Sequence, residues 1–284
     1  MQINLRRTSA VIPALNNQRT IQRCIQSLLA NRVEEIVVVD GGSKDNTLSI
    51  IRSFDAGSKI QLHRNVTPAG RAREFGWRAA KGRFILFLDA DAFLPQINAV
   101  ELLLKFFSDS RVAGVTCRVA CANLDKILPR LRNIDFRLAY PERFKQIGII
   151  DCISDATMCG IFRGDMLEAV GGFDTAYEYA EDLKLLWKLT SRGYRVLTTY
   201  HPAVYHYHRE KPRDLLSQFY HHGTGRRILM KEIGKSFHGS RDADEFFRKF
   251  IKQVHGKDLI DYTFYRLFTE AAFLIGYRRR SLYY

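Results

Sequence analysis

At 284 residues, with 46% hydrophobic and 26% charged side chains, the chain can bury a sizeable core and sits near the upper size for a single one. That balance excludes an intrinsically disordered chain, and Gly at 19 and Pro at 7 exclude collagen-like and proline-rich architectures. Lys and Arg number 44 against 30 Asp and Glu, a formal +14 that favours anionic partners: a nucleotide, a nucleic acid or an acidic membrane surface.

The first half alternates strand and helix patterns. Residues 9–13 form a short buried run, and Ile21, Ile25, Leu28 and Leu29 then share one helical face. The β-branched run 35–39 stops at Asp40-Gly41-Gly42. A helix is expected over 45–54, a strand over 59–62 and a helix over 71–80, ending near Gly82. The apolar strand 84–88 runs into Asp89-Ala90-Asp91. Strands separated by single helices imply βαβ units and a parallel sheet, whose ligands bind at the carboxyl ends of the strands. Two of these strands end in carboxylates at that edge.

Beyond residue 112 the pattern is less regular. A helix is expected over 130–140, a strand over 156–162, a turn at Gly171-Gly172-Phe173, an amphipathic helix over 180–191 and a strand over 194–199. From His201 onward 16 Lys and Arg stand against 9 Asp and Glu, or +7, and this shift places a domain boundary near 205. Five Cys (24, 117, 121, 152 and 159), an odd number with no C-x-x-C pair, read as free, mostly buried thiols of a reducing compartment. Residues 1–17 lack the apolar run of a signal peptide. No stretch reaches the ~18–20 apolar residues of a spanning helix; the nearest, 264–277, is interrupted by Arg266 and Glu270.

Several clusters can carry chemistry, each with a plainer structural alternative. Asp89 and Asp91 are alternate residues of an extended segment, so both carboxylates can face one ion, and hard oxygen ligands suit Mg²⁺ or Mn²⁺; the alternative is a solvated turn. Asp40 can accept from a nucleobase N–H or a ribose hydroxyl, or simply brace an Asp-Gly turn, with Asp45 capping the next helix. Gly70 and Arg71 begin a helix where a diphosphate can be approached, or form a basic helix start. Glu181-Asp182 opens a helix whose dipole favours an ionised acid, which suits a general base as well as ordinary first-turn acids. His206 and His208, two apart on a strand, are metal ligands or part of an aromatic patch. The segment 221–227 (HHGTGRR) is a phosphate site or a solvated basic loop.

Taken in order, Ile12-Pro13-Ala14-Leu15-Asn16-Asn17, VVVDGGSKDNT (37–47), Gly70-Arg71-Ala72, FILFLDAD (84–91), VGGFD (170–174), Glu181-Asp182 and Gly193-Tyr194-Arg195 resemble glycosyltransferase family 2 across about residues 8–210. The resemblance implies the GT-A fold: an α/β, Rossmann-like nucleotide-binding domain with a mixed, mainly parallel sheet flanked by helices. That domain would occupy 1–205, with a nucleotide-sugar half over about 1–110 and an acceptor half over 111–205, followed by a basic amphipathic helical segment over 206–284. It implies a nucleotide-sugar site at Pro13, Ala14, Asn16, Asp40, Gly70, Arg71, Asp89 and Ala90. It also implies a Mn²⁺ or Mg²⁺ site at Asp91, Asp89 and His206, and Asp182 as base beside Glu181. Where the family carries its second acid, Gly41 stands here, so any role for that acid is absent. The Q-x-x-R-W signature of processive members is absent, since Phe219-Tyr220-His221-His222 follow Gln218, and single-sugar transfer is expected.

The expected reaction is inverting transfer from a GDP- or UDP-linked sugar (GDP-mannose or a UDP-hexose) to a lipid-linked acceptor such as a polyprenyl phosphate or lipid-linked glycan. A soluble acceptor is the alternative. A sugar-nucleotide pyrophosphorylase would carry a Gly-rich loop where Pro13-Ala14-Leu15-Asn16 stands. A nucleic-acid-binding protein would carry a recognised module, and none is found. Arg248, Lys249, Lys252, Tyr262, Phe264, Tyr265, Leu267, Phe268 and Arg278-Arg279-Arg280 read as a basic amphipathic segment on an anionic membrane, or as a helix packed on the catalytic domain. The expected location is cytoplasmic, peripheral on the cytoplasmic face of the cell membrane, or anchored there if the chain continues past 284.

Overall fold

The computed structural model describes residues 8–54, 59–64, 66–140, 144, 148–151, 158–233, 250 and 252–278. In chain order the elements are β1 (Thr8–Ala14), α1 (Ile21–Ala30), β2 (Glu35–Asp40), α2 (Thr47–Ser53), β3 (Ile60–Arg64), α3 (Ala69–Ala79), β4 (Phe84–Leu88), β5 (Ala92–Phe93) and α4 (Ala99–Leu104). Then come β6 (Val112–Cys121), α5 (Ile127–Ala139), β7 (Ile149–Asp151), β8 (Cys159–Arg163), α6 (Gly164–Ala169), α7 (Glu181–Ser191), β9 (Arg195–His206), α8 (Pro212–Ile233) and α9 (Lys257–Arg278). The sheet runs β3-β2-β1-β4-β8-β6-β9-β5, with β7 also on β9. It is parallel through β4; β8 is antiparallel to both β4 and β6. This is the mixed, helix-flanked α/β architecture expected from the sequence.

The central parallel strands β1, β2 and β4 carry buried apolar runs because helices cover both faces, whereas the edge strand β3 is only partly buried. Val11, Ile12, Val37, Val38, Leu86 and Phe87 are fully buried. Ile21, Cys24, Ile25 and Leu28 form the buried stripe of α1 at helical spacing. Gly76 lets α3 lie close to the sheet, since a Cβ there would reach Val39 Cγ2 at 3.2 Å and press harder still on Val11. Cys24, Cys117, Cys121 and Cys159 are buried free thiols; Cys152 lies outside the described residues.

The chain divides into two compact units, Met1–Val119 with Lys145–His206, and Ala120–Phe144 with Tyr207–Tyr284. The second is built from α5, α8 and α9 around Leu131, Ile134, Leu138, Leu215, Phe219, Tyr262 and Tyr265. The segment 221–227 is the interior of α8, not a loop. Gly223 and Gly276 are the reason α8 and α9 pack backbone to backbone: a Cβ on either would collide with a carbonyl, of Phe273 or Tyr220 respectively.

A buried carboxylate fastens this unit. Asp135 of α5 accepts from Tyr262 Oη (2.7 Å), Tyr265 Oη (2.8 Å), Arg266 Nη1 (3.1 Å) and Arg132 Nη1 (3.0 Å). Burial by itself raises the Asp135 carboxyl, but the Arg132 and Arg266 guanidiniums and the two phenols outweigh it and hold the group below the ordinary range. A carboxyl depressed by folding adds stability above its unfolded pKa of about 3.9, and that contribution is lost as pH falls through the lower folded value. Acid unfolding followed by helical circular dichroism is therefore expected to lose its steepest part in Asp135→Asn. An unchanged acid profile would contradict the assignment.

Candidate functional site

The carboxyl edge of the parallel strands carries the first acids. Asp40 ends β2 level with Ala14 of β1, and Asp89 follows Leu88, the last residue of β4, on the other side of β1. Two strand spacings separate β2 from β4, about 10 Å, which a nucleoside diphosphate can bridge. Asp40 is fully buried. Its Oδ2 accepts the N–H groups of Gly42 (2.8 Å) and Ser43 (3.0 Å), so the turn-bracing role is realised. Its Oδ1 is buried without a hydrogen-bond partner among the described residues, a costly condition that a ligand N–H or O–H would relieve. The loop after β1 is stitched to the loop after β2: Gly41 N–H donates to Ala14 O (2.8 Å), Asn16 N–H to Ser43 Oγ (2.8 Å) and Lys44 N–H to Asn16 Oδ1 (2.9 Å). Pro13 and Ala14 lie beside Val39 and Asp40, and Asn16 has a positive φ of 55°.

A second set gathers after β4. The two-residue β5 pairs antiparallel with the end of β9, placing Ala92 opposite His206 and Phe93 opposite Tyr205. That register carries His206 to Asp91, with Nε2 3.1 Å from Oδ1. Asp89, Asp91 and His206 each offer a ligand atom within 4.8 Å of the others, and Ala90 is buried between the acids. Burial raises the Asp89 carboxyl; Arg73 opposes this, neighbouring Asp91 adds to it, and the net shift is upward. Two carboxylates crowded at one place, with an imidazole completing the group, have the donor chemistry of a Mn²⁺ or Mg²⁺ site.

Arg73, which the sequence reading passed over, is buried in α3 and joins two of the acidic clusters. Its Nη2 donates to Asp89 Oδ1 at 2.6 Å and its Nη1 to Glu181 Oε1. Burial works against the charged guanidinium, but Asp89, Glu181 and Asp182 more than offset it and push its pKa up. Glu181 is thereby buried and salt-bridged, whereas Asp182 is half-buried and accepts Leu183 N–H at 2.8 Å. Gly70 lets α3 approach this pair: a Cβ there would lie 2.9 Å from Glu181 Cγ. Arg71 instead stands exposed, its Nε 3.4 Å from Thr175 O. A signal for Arg73 was present, because Ala72, Arg73, Gly76 and Trp77 form one buried stripe of α3 at helical spacing.

The 170–174 turn is held by another residue outside the expected set. Glu74 Oε2 accepts from Phe173 N–H (2.8 Å) and Trp77 Nε1 (2.6 Å), while Gly171 and Gly172 take φ of 72° and 59°. Only glycine enters that region freely. His208 falls in the second unit, where its ring stacks on Phe136 and its backbone N–H donates to Asn123 Oδ1 at 3.0 Å.

Asp40, Asp89 and Asp91 fall within a match to the family model of glycosyl transferase family 2 over residues 9–168, more than half of the chain, while Glu181-Asp182 and His206 lie beyond the matched stretch. The chain belongs to glycosyltransferase family 2. Among curated relatives, it is 26% identical over 194 residues to poly-β-1,6-N-acetyl-D-glucosamine synthase of Staphylococcus aureus (strain COL), covering 66% of this chain and 46% of that protein. It is 23% identical over 199 residues to the O-antigen chain rhamnosyltransferase WbaN of Salmonella anatum, covering 68% and 63%. The chain thus spans about half the length of the first relative and under two thirds of the second. The fold is similar to that of mannosyltransferase PcManGT from Pyrobaculum calidifontis in complex with GDP-Man and Mn²⁺, at TM-score 0.61, 19% identity and coverage of 95% and 72%. It is also similar to S. aureus TarS 1-349 in complex with UDP, at TM-score 0.56, 17% identity and coverage of 96% and 89%.

Proposed function

We propose that the chain transfers one sugar from a nucleotide-sugar to an acceptor, in a single inverting displacement assisted by a divalent cation. The observation that carries this reading is the convergence of Asp89, Asp91 and His206 within 4.8 Å, with Arg73 linking Asp89 to the Glu181-Asp182 pair. Asp40 would accept from the nucleobase or ribose through Oδ1, with Pro13, Ala14 and Asn16 forming the adjoining wall. Asp89, Asp91 and His206 would hold the cation, and the imidazole favours Mn²⁺ over the all-oxygen preference of Mg²⁺. When bound, the cation stabilises negative charge on the departing diphosphate. Asp182, half-buried beside the Arg73-bridged Glu181, would take the acceptor's proton at a carboxylate oxygen. PcManGT and TarS carry GDP-Man and UDP respectively, so both bases deserve trial.

We read the acceptor as lipid-linked and the place of work as the cytoplasmic face of the cell membrane, supported by the basic charge of the C-terminal third. A thermal-shift series with UDP and GDP, with and without Mn²⁺, tests the donor site. One nucleotide at about 100 times its dissociation constant is expected to add about 2.7 kcal/mol when Mn²⁺ is present. Asp91→Asn is expected to remove the Mn²⁺-dependent part of that shift and to spare unliganded stability. No shift with any nucleoside diphosphate and Mn²⁺ would defeat the reading.

A further inference from the structure

Helix α9 has two apolar sides. Tyr262, Tyr265, Thr269 and Gly276 are buried on one, within the unit formed with α5 and α8. Tyr262 and Tyr265, which in sequence join the amphipathic run, therefore face inward. Ile260, Phe264, Leu267, Phe268 and Ile275 stand on the other side, 57–63% exposed, with Leu274 at 41%. At about 100° per residue these six and Ala271 occupy an arc of about 120°. From 260 to 275 the stripe runs roughly 22 Å along the axis. Lys257 and Arg278 fall on the same arc at its two ends, and both are exposed. Arg248, Lys249, Arg279 and Arg280 lie outside the described residues.

An apolar stripe of this length, on a helix whose opposite face is already packed, marks a docking surface. We propose that it lies in the interface of an anionic lipid bilayer, with α9 parallel to the membrane plane. Charge selects this occupant. The unit that contains α9 holds 21 Lys and Arg against 12 Asp and Glu, a formal +9. A second copy seated on the stripe would bring two such units together, whereas anionic headgroups complement them. Basic ends with an apolar middle match the interfacial type of helix, whose apolar face sinks to the acyl boundary while its cations meet headgroups. Among the described residues no helix is long and apolar enough to cross a membrane, so α9 lies on the bilayer and does not span it. This deepens the lipid-linked acceptor reading and rests on it for its purpose, but its readout needs no catalysis.

Flotation of the full chain with vesicles tests it, comparing phosphatidylcholine alone with a three-to-one mixture of phosphatidylcholine and phosphatidylglycerol. The chain is expected to float with the mixed vesicles and far less with the neutral ones. Phe264→Ser/Leu267→Ser/Phe268→Ser, all at exposed positions, is expected to lower the partition coefficient at least about tenfold with the melting temperature unchanged. The proposal is overturned if the wild type stays unbound to anionic vesicles, or if the triple variant floats equally well. It is also overturned if light scattering shows a dimer that the variant dissolves, since the occupant is then a second copy. Vesicle binding without any nucleotide-dependent thermal shift would uphold the surface and count against the transferase reading alone.

Discussion

Asp182→Asn is expected to lower kcat by about 10²–10⁴, the range for loss of a positioned general base, with the affinity for nucleoside diphosphate and Mn²⁺ retained. The two acids at the start of α7 differ in their surroundings. Glu181 is buried and salt-bridged to Arg73. Asp182 is half-buried and bonded locally to Leu183 N–H. An amide keeps the shape and the capping bond but cannot take the proton of an attacking hydroxyl. Steady-state kinetics with donor binding measured in parallel separates the effects. If the acceptor is a lipid phosphate, already ionised, no proton need be removed, and Asp182→Asn would retain most of its rate. A variant that loses nucleotide binding along with turnover would instead place Asp182 in donor binding.

Arg73→Met is expected to be among the most destabilising single substitutions in this chain. It leaves Glu181, and in part Asp89, as buried charges without their partner, and breaking a buried pair from one side costs about 3–5 kcal/mol. For a chain of this size that corresponds to roughly 6–20 °C in melting temperature. Arg73→Lys keeps the charge but not the two-armed geometry that reaches both acids, so partial recovery is expected. Combining Arg73→Met with Glu181→Gln removes one uncompensated charge and should be less destabilising than Arg73→Met alone. Melting temperatures of the three variants within about 1 °C of wild type would refute the bridging role.

Much of the site's inventory was legible because it is local. A strand buried on both faces is a continuous apolar run, so 35–39 and 84–88 announced themselves, and Asp40, Asp89 and Asp91 stand out as the first charges after each. Arg73 was less legible because two arginines flank Ala72. Only their placement against the buried stripe of α3 separates the exposed Arg71 from the buried Arg73. The segment 221–227 looked like a loop since two glycines usually weaken a helix. In α8, Gly223 serves to bring another backbone close, and packing outweighs propensity.

The first four strands, the helices between them and the acids that follow β2 and β4 were determined by the amino-acid sequence alone, because periodicity and turn residues act over a few positions, whereas β5, β6 and β7 were not legible there. Which of those acids meet was decided by tertiary structure. His206 reaches Asp91 only through the antiparallel register of β5 on β9, and Arg73 reaches Glu181 only because α3 and α7 pack beside each other at Gly70. The two faces of α9 were settled in the same way. Its residues are apolar around most of the circumference, and nothing local ranks Tyr262 above Phe264; the carboxylate of Asp135, with its need for hydroxyl donors in a dry interior, turns the tyrosines inward and leaves the Ile260–Ile275 stripe outside.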